Sequence, residues 1–207
     1  MVSGRSPSKP KRGSAARSNQ ASSSNIHVVH FVGSINSNTS AHLMSSCLQA
    51  IQQGATELRL HVSSDGGSNL DGFAMHNFLR SLPIPVTTHN IGNIESMAVL
   101  VFLAGDRRLV SPEARFLLHA LYWGFNAGGV DHGRLKEYVA TLDHDAERYA
   151  AIFEERTKGG RKPIAIRDHL LGPERFVFPS ESVDTGLCHA VEVARLPKGA
   201  VAWWLTG

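Results

Sequence analysis

The residues able to do chemistry in this 207-residue chain fall into three short segments. The first is Ser63-Ser64-Asp65-Gly66-Gly67-Ser68, a paired-glycine turn after the strand-like run Leu58 to Val62. The second is Gly92-Asn93-Ile94-Glu95-Ser96-Met97-Ala98, in which Ser96 stands between a glycine turn and the apolar run Met97 to Ala104. The third, Arg115-Phe116-Leu117-Leu118-His119, ends an apolar run on a histidine. A serine where an extended segment becomes a buried helix shows its hydroxyl at a helix N-terminus, where free N–H groups and the helix dipole favour developing negative charge. That hydroxyl needs a base within hydrogen-bond reach, and an imidazole titrates in the working range. Gly66-Gly67 allows the positive φ and close backbone approach of a loop that offers N–H donors to an oxyanion. Nucleophile, base and oxyanion loop are therefore all available. Each also has an ordinary reading: a helix cap for Ser96, a core residue for His119, a plain turn for the glycines.

The elements that must hold these segments alternate along the chain. Val28 to Val32, Leu58 to Val62 and Val86 to Asn90 read as strands, with helices over Ser40 to Gln53 and Leu70 to Leu82 between them. A helix follows Ser96, then the strands Arg108 to Val110 and Phe116 to His119, and a linker through Gly128-Gly129. Such alternation predicts an α/β fold with parallel pairing. Asp131 to Thr157 is the longest helical segment, its stripe of Leu135, Tyr138, Leu142, Tyr149, Ile152 and Phe153 set among charges. Pro163 to Leu171 begins a further short helix.

Composition restricts the setting. Residues 1–25 carry Arg5, Lys9, Lys11, Arg12 and Arg17, no acid and many Ser, Pro and Gly, a composition that reads as a disordered basic tail. The net charge of +3 belongs to that tail, the remainder being slightly acidic, so the chain does not present a nucleic-acid-binding face. Cys47 and Cys188 are too few for a disulfide framework and predict a reducing, cytoplasmic setting. No apolar run approaches the ~20 residues of a membrane span. The eleven histidines show no tight ligand spacing, so neither a metal nor another cofactor is expected.

In this order, Ser64-Asp65-Gly66-Gly67-Ser68, Gly92 to Ala98, Arg115 to His119 and Glu174-Arg175-Phe176 resemble the proteolytic subunit of the Clp protease, with Ser180 to Leu187 similar to that family's closing helix and turn. The resemblance runs from about Ile26 to Leu196. It implies that residues 26–207 form one peptidase domain, a ClpP/crotonase-like spiral of repeated ββα units from which the helix at 131–157 protrudes as a handle. It implies a serine endopeptidase working through an acyl-enzyme, with Ser96 as nucleophile and His119 as base. Glu174 occupies the position of the family's aspartate, and Asp168 is the reserve. The oxyanion hole would be the N–H groups of Gly67 and Met97. Substrate would lie as an added strand beside Gly66, Ser68 and Leu70.

The resemblance further implies a homo-oligomer, a heptameric ring or double ring enclosing the sites, fed with peptide or unfolded protein and associated with an ATP-dependent unfoldase. The handle's stripe, Tyr149 and Phe153 included, would pack against the opposing ring, and the Val201-Ala202-Trp203-Trp204-Leu205 cluster would be partly exposed. The chain departs from the family pattern at Asp65, which replaces a proline, at Glu95, where a small residue is usual, at Ala98, which replaces a glycine, and at Ala120-Leu121, which replaces Gln-Pro. Glu95 is the most consequential of these, being a carboxylate next to the nucleophile. Two alternatives follow: a catalytically degenerate assembly subunit, and a crotonase-type acyl-CoA enzyme with the same backbone oxyanion hole but no need of a serine–histidine pair.

Overall fold

A computed structural model describes residue 1 and residues 25–124 and 128–205. The expected basic tail, its end residues Met1 and Asn25 aside, lies outside the described residues. In chain order the elements are β1 (Ile26–Val32), α1 (Ser37–Gln52), β2 (Glu57–Ser64), α2 (Asn69–Ser81), β3 (Val86–Glu95), α3 (Ala98–Leu103), β4 (Arg107–Val110) and β5 (Arg115–Leu118). They continue with α4 (His132–Thr157), α5 (Ile166–Leu170), β6 (Arg175–Val177), α6 (Pro179–Asp184), β7 (Ala190–Val191) and β8 (Val201–Leu205). The fold is thus mixed α/β on a sheet of eight strands, ordered β6-β5-β3-β2-β1-β8, with β4 beside β3 and β7 beside β4. Every pairing is parallel except β5 with β6.

The alternation in the sequence becomes two faces of this sheet. Val29 pairs with Leu60 and Phe31 with Val62, and these side chains enter the apolar core with the helices. The intervening positions bring His30, His61 and His89 into one row on the other face. The α3 helix is the centre of the core: Met97 to Leu103 are all fully buried, as an apolar run with no polar side requires. Helix α1 starts on a capping box, Asn36 accepting from Thr39 N–H while the Thr39 hydroxyl accepts from Asn36 N–H.

Strand β3 forks, and the fork positions the site. Thr87 to Asn90 pair with β4, whereas Asn93 to Glu95 pair with β5. Asn90 is buried where the partners change, donating its side-chain amide to the Arg115 carbonyl and accepting from Gly92 N–H, so the backbone groups released by the switch are satisfied. Gly92 therefore lies inside a strand, not in the turn its sequence suggests. It is glycine because a β-carbon there would lie 2.7 Å from the Ser63 hydroxyl.

The long helix also differs from expectation along half its length. Tyr149 and Phe153 are each 1% exposed and belong to the molecule's own core, so they are not contacts for another ring. Only the first half projects, with Leu135 and Val139 at 43% and 57% exposure. The C-terminal cluster forms β8, which adds in parallel to β1 at the sheet edge, with Trp204 68% exposed.

Candidate active site

Ser96 follows β3 directly and has φ of +53°, the one positive value at a non-glycine residue among those described. A left-handed conformation costs a residue with a β-carbon about 1–2 kcal/mol, and is held only where neighbours over-determine it. Here its N–H donates to the Leu117 carbonyl at 3.1 Å, and its carbonyl accepts from Val99 N–H at 3.0 Å and the Tyr149 hydroxyl at 3.2 Å. The ordinary reading of Ser96 as a helix cap does not hold, since α3 has no side-chain cap. Its hydroxyl opens instead onto a cavity of about 600 Å³ shared with Gly67, Ser68, Asn69, Leu70, Tyr122 and Trp123. The other serines of the glycine loop are occupied: Ser64 Oγ accepts from Gly66 N–H, and Ser68 Oγ caps α2 by accepting from Asp71 N–H.

The glycine pair is fitted to this turn. Gly66 and Gly67 have φ of +89° and +141°. A β-carbon on Gly66 would lie 2.7 Å from Ser96 Cβ, and one on Gly67 would collide with the Ile35 carbonyl. The loop is pinned on its other side by Ile35, whose N–H donates to Gly66 and whose carbonyl accepts from Ser68 N–H. Neither Gly67 N–H nor Met97 N–H donates to another described residue. Gly67 lines the cavity at Ser96, and Met97 N lies against the glycine loop, 3.1 Å from where a β-carbon on Gly66 would stand.

His119 comes from the neighbouring strand. Because β3 and β5 are parallel and Ser96 N–H reaches the Leu117 carbonyl, the residues that follow both strands leave the sheet side by side. The imidazole is half-buried and faces Tyr122, its ring centroid 6.4 Å away. Its hydrogen bond among the described residues joins Nδ1 to the Ala120 carbonyl at 2.7 Å. A carbonyl only accepts, so Nδ1 carries the proton and Nε2 is left with the lone pair a general base uses.

Strand register distinguishes the two candidate acids. Antiparallel pairing of Leu118 with Arg175 and Leu117 with Phe176, continued by one residue, sets Glu174 across from His119. Its side chain is exposed and not hydrogen-bonded to the imidazole, whose Nδ1 is occupied by Ala120. Asp168 is exposed on α5.

Glu95 does not charge the cavity at Ser96. Its carboxylate pairs with Arg115 at 3.0 Å and lines a different cleft, with Val32, Ser34 and Asn93. The Arg115 guanidinium in turn lies 4.8 Å above the Phe176 ring. The cavity at Ser96 has a polar end that sequence reasoning missed: Asp145, nearly buried, accepts from Asn69 Nδ2 at 3.3 Å and from Arg148 Nη2 at 2.6 Å. Arg148 lies 3.9 Å over Phe73. The i, i+3 spacing of Asp145 and Arg148 on a helix was the available signal, though it reads equally as a solvated pair.

The sequence profile of the Clp protease family matches residues 13–195. ATP-dependent Clp protease proteolytic subunit 1 of Leifsonia xyli subsp. xyli is 30% identical over 156 residues, 73% of this chain and 76% of that protein. The protein of the same name from Mycobacterium leprae is 28% identical over 160 residues, 75% and 77% of the two chains. Among solved structures, a ClpP1 mutant from Listeria monocytogenes matches with a TM-score of 0.68 at 17% identity, covering 82% of this chain and 92% of that one, a likeness of fold.

Proposed function

The chain belongs to the Clp protease family, and from that premise we propose that it is a serine endopeptidase in which Ser96 attacks the scissile carbonyl of a peptide. The observation that carries this reading is the strained Ser96 turn, which opens its hydroxyl to a cavity next to the Gly66-Gly67 loop. His119 Nε2 takes the hydroxyl proton as the bond to carbon forms, and returns it to the leaving amine. The N–H groups of Gly67 and Met97 hold the oxyanion, and water then releases the acyl group from Ser96. Substrate lies as an extended strand along Gly66, Ser68 and Leu70, the last 79% exposed and free to meet it. Glu174 completes the triad by turning in across the β5–β6 ladder, in support of which stands the register that faces it to His119.

The relatives' names describe a proteolytic subunit of an ATP-dependent protease. By that analogy this chain works in the cytoplasm as one subunit of a homo-oligomer, a heptameric ring or double ring, and receives unfolded protein from an ATP-driven partner. Both cysteines are buried free thiols, consistent with that setting. A non-catalytic assembly subunit is the second reading, favoured by the exposed Glu174. Reaction of the purified protein with a fluorophosphonate, followed by peptide mapping, separates the two. Labelling at Ser96 that is lost in Ser96→Ala supports the peptidase; absence of labelling, or its persistence at Ser64 or Ser68 in the variant, overturns it.

A further inference from the structure

We propose that Tyr149 is a positioning residue that aims one of the two oxyanion donors. The inference rests on the reading of Ser96 as nucleophile and Met97 N–H as part of the oxyanion hole. The Tyr149 hydroxyl donates to the Ser96 carbonyl at 3.2 Å from a side chain only 1% exposed. Burial keeps the phenol protonated and therefore a donor. The Ser96 carbonyl and Met97 N–H belong to one trans peptide unit, so they point in opposite directions within one rigid plane. Holding the carbonyl toward the Tyr149 hydroxyl turns the N–H the other way, on a nitrogen that lies 3.1 Å from where a β-carbon on Gly66 would stand, against the glycine loop.

The hydrogen bond has a second effect. An amide whose carbonyl accepts a hydrogen bond is polarised and becomes a stronger donor at its N–H, more so in a dry interior. Tyr149 thus both aims and strengthens the donor without touching substrate. It acts on the described non-glycine residue with positive φ, sharing the Ser96 carbonyl with Val99 N–H, which donates to it at 3.0 Å. The same helix braces the other donor: Asp145 accepts from Asn69, two residues beyond Gly67. Both oxyanion donors are thereby referred to α4, whose first half projects from the molecule.

The test is Tyr149→Phe in the full-length protein, beside Phe153→Leu as a packing control one turn along the same buried stripe. Removing the hydroxyl should lower kcat for peptide hydrolysis and the rate of fluorophosphonate labelling about five- to tenfold, the rate equivalent of about one hydrogen bond. KM and both limbs of the pH profile should stay unchanged, because neither substrate contacts nor His119 are altered. Affinity for a peptide aldehyde, whose adduct with Ser96 places an oxyanion in the hole, should fall in parallel. Phe153→Leu should lower the melting temperature while leaving kcat intact. An unchanged kcat in Tyr149→Phe, or losses that follow melting temperature in both variants, overturns the proposal. Failure of the wild-type protein to label at Ser96 overturns the peptidase reading itself, and this inference with it.

Discussion

At the residue scale, the Nδ1 edge of His119 is the contested point, because a backbone carbonyl and a carboxylate can both serve it. In the proposed mechanism Ala120 already fixes the tautomer a base requires, so the role left to Glu174 would be to stabilise the imidazolium formed during turnover. We therefore expect Glu174→Gln to lower kcat about tenfold, well short of the about 10⁴-fold loss seen where an acid alone sets the tautomer. Asp168→Asn should leave turnover unchanged; the reverse ranking, measured by steady-state hydrolysis, would move the acid to α5. Gly67→Ala is a harsher change, since its new methyl meets the Ile35 carbonyl at a φ of +141°. It should abolish labelling of Ser96 while costing little of the core, checked by labelling and circular dichroism together. The placement of Ser96, His119 and the glycines just after strands was legible, because residue type and local pattern reveal where a strand ends. Asp145 and Tyr149 were not: they reach Asn69 and the Ser96 carbonyl across 76 and 53 residues of chain, through packing that no local pattern encodes.

At the scale of elements, the helix α4 is two things joined end to end. From Asp145 onward its apolar positions enter the core, with Tyr149, Ala150 and Phe153 buried, while Leu135 and Val139 remain exposed on the first turns. The sequence presents one continuous stripe, because helical periodicity specifies a face and says nothing of what covers it. Gly92 misled for a related reason: glycine marks turns and also strand positions pressed against a neighbour, here Ser63. The first five strands were legible in position and type, as where Leu58, Leu60 and Val62 alternate with polar residues at the period of a sheet, whereas the short strands Arg175–Val177, Ala190–Val191 and Val201–Leu205 were not. If the projecting half carries subunit contacts, Leu135→Asp with Val139→Asp should reduce the particle size reported by light scattering without moving the melting temperature. Phe153→Asp should instead unfold the chain, because it buries an unpaired carboxylate in a close-packed interior. A double aspartate variant that keeps the wild-type particle size would place the contacts elsewhere.

At the scale of the whole molecule, the face of the sheet opposite the main core is closed by the chain's own C-terminal segment over a row of histidines. Trp204 stacks on His30 with 4.0 Å between centroids, His30 meets His61 at 4.9 Å, and His61 meets His89 at 5.7 Å. His89 Nε2 donates to the Glu192 carbonyl, and His30 Nε2 is buried with no partner among the described residues. Burial, then the neighbouring His30, His89 and Arg59, push the His61 pKa down to about 4, and burial also lowers His30 and His89. In the unfolded chain these groups titrate near the usual ~6.5. Between about 6.5 and about 4 the unfolded state therefore binds more protons than the folded one, and stability must fall as pH falls through that window. Above it the contribution is fully present. The urea midpoint should accordingly be lower at about pH 5 than at about pH 7.5, and Trp emission should shift over the same range as the Trp204 stack opens. His61→Gln removes the most depressed member of the row and should flatten that dependence. Because the row lies on the face away from Ser96, the same substitution should leave labelling at neutral pH unaltered; an acid sensitivity unchanged in His61→Gln would assign it to His76 and His189, whose pKa values burial also lowers.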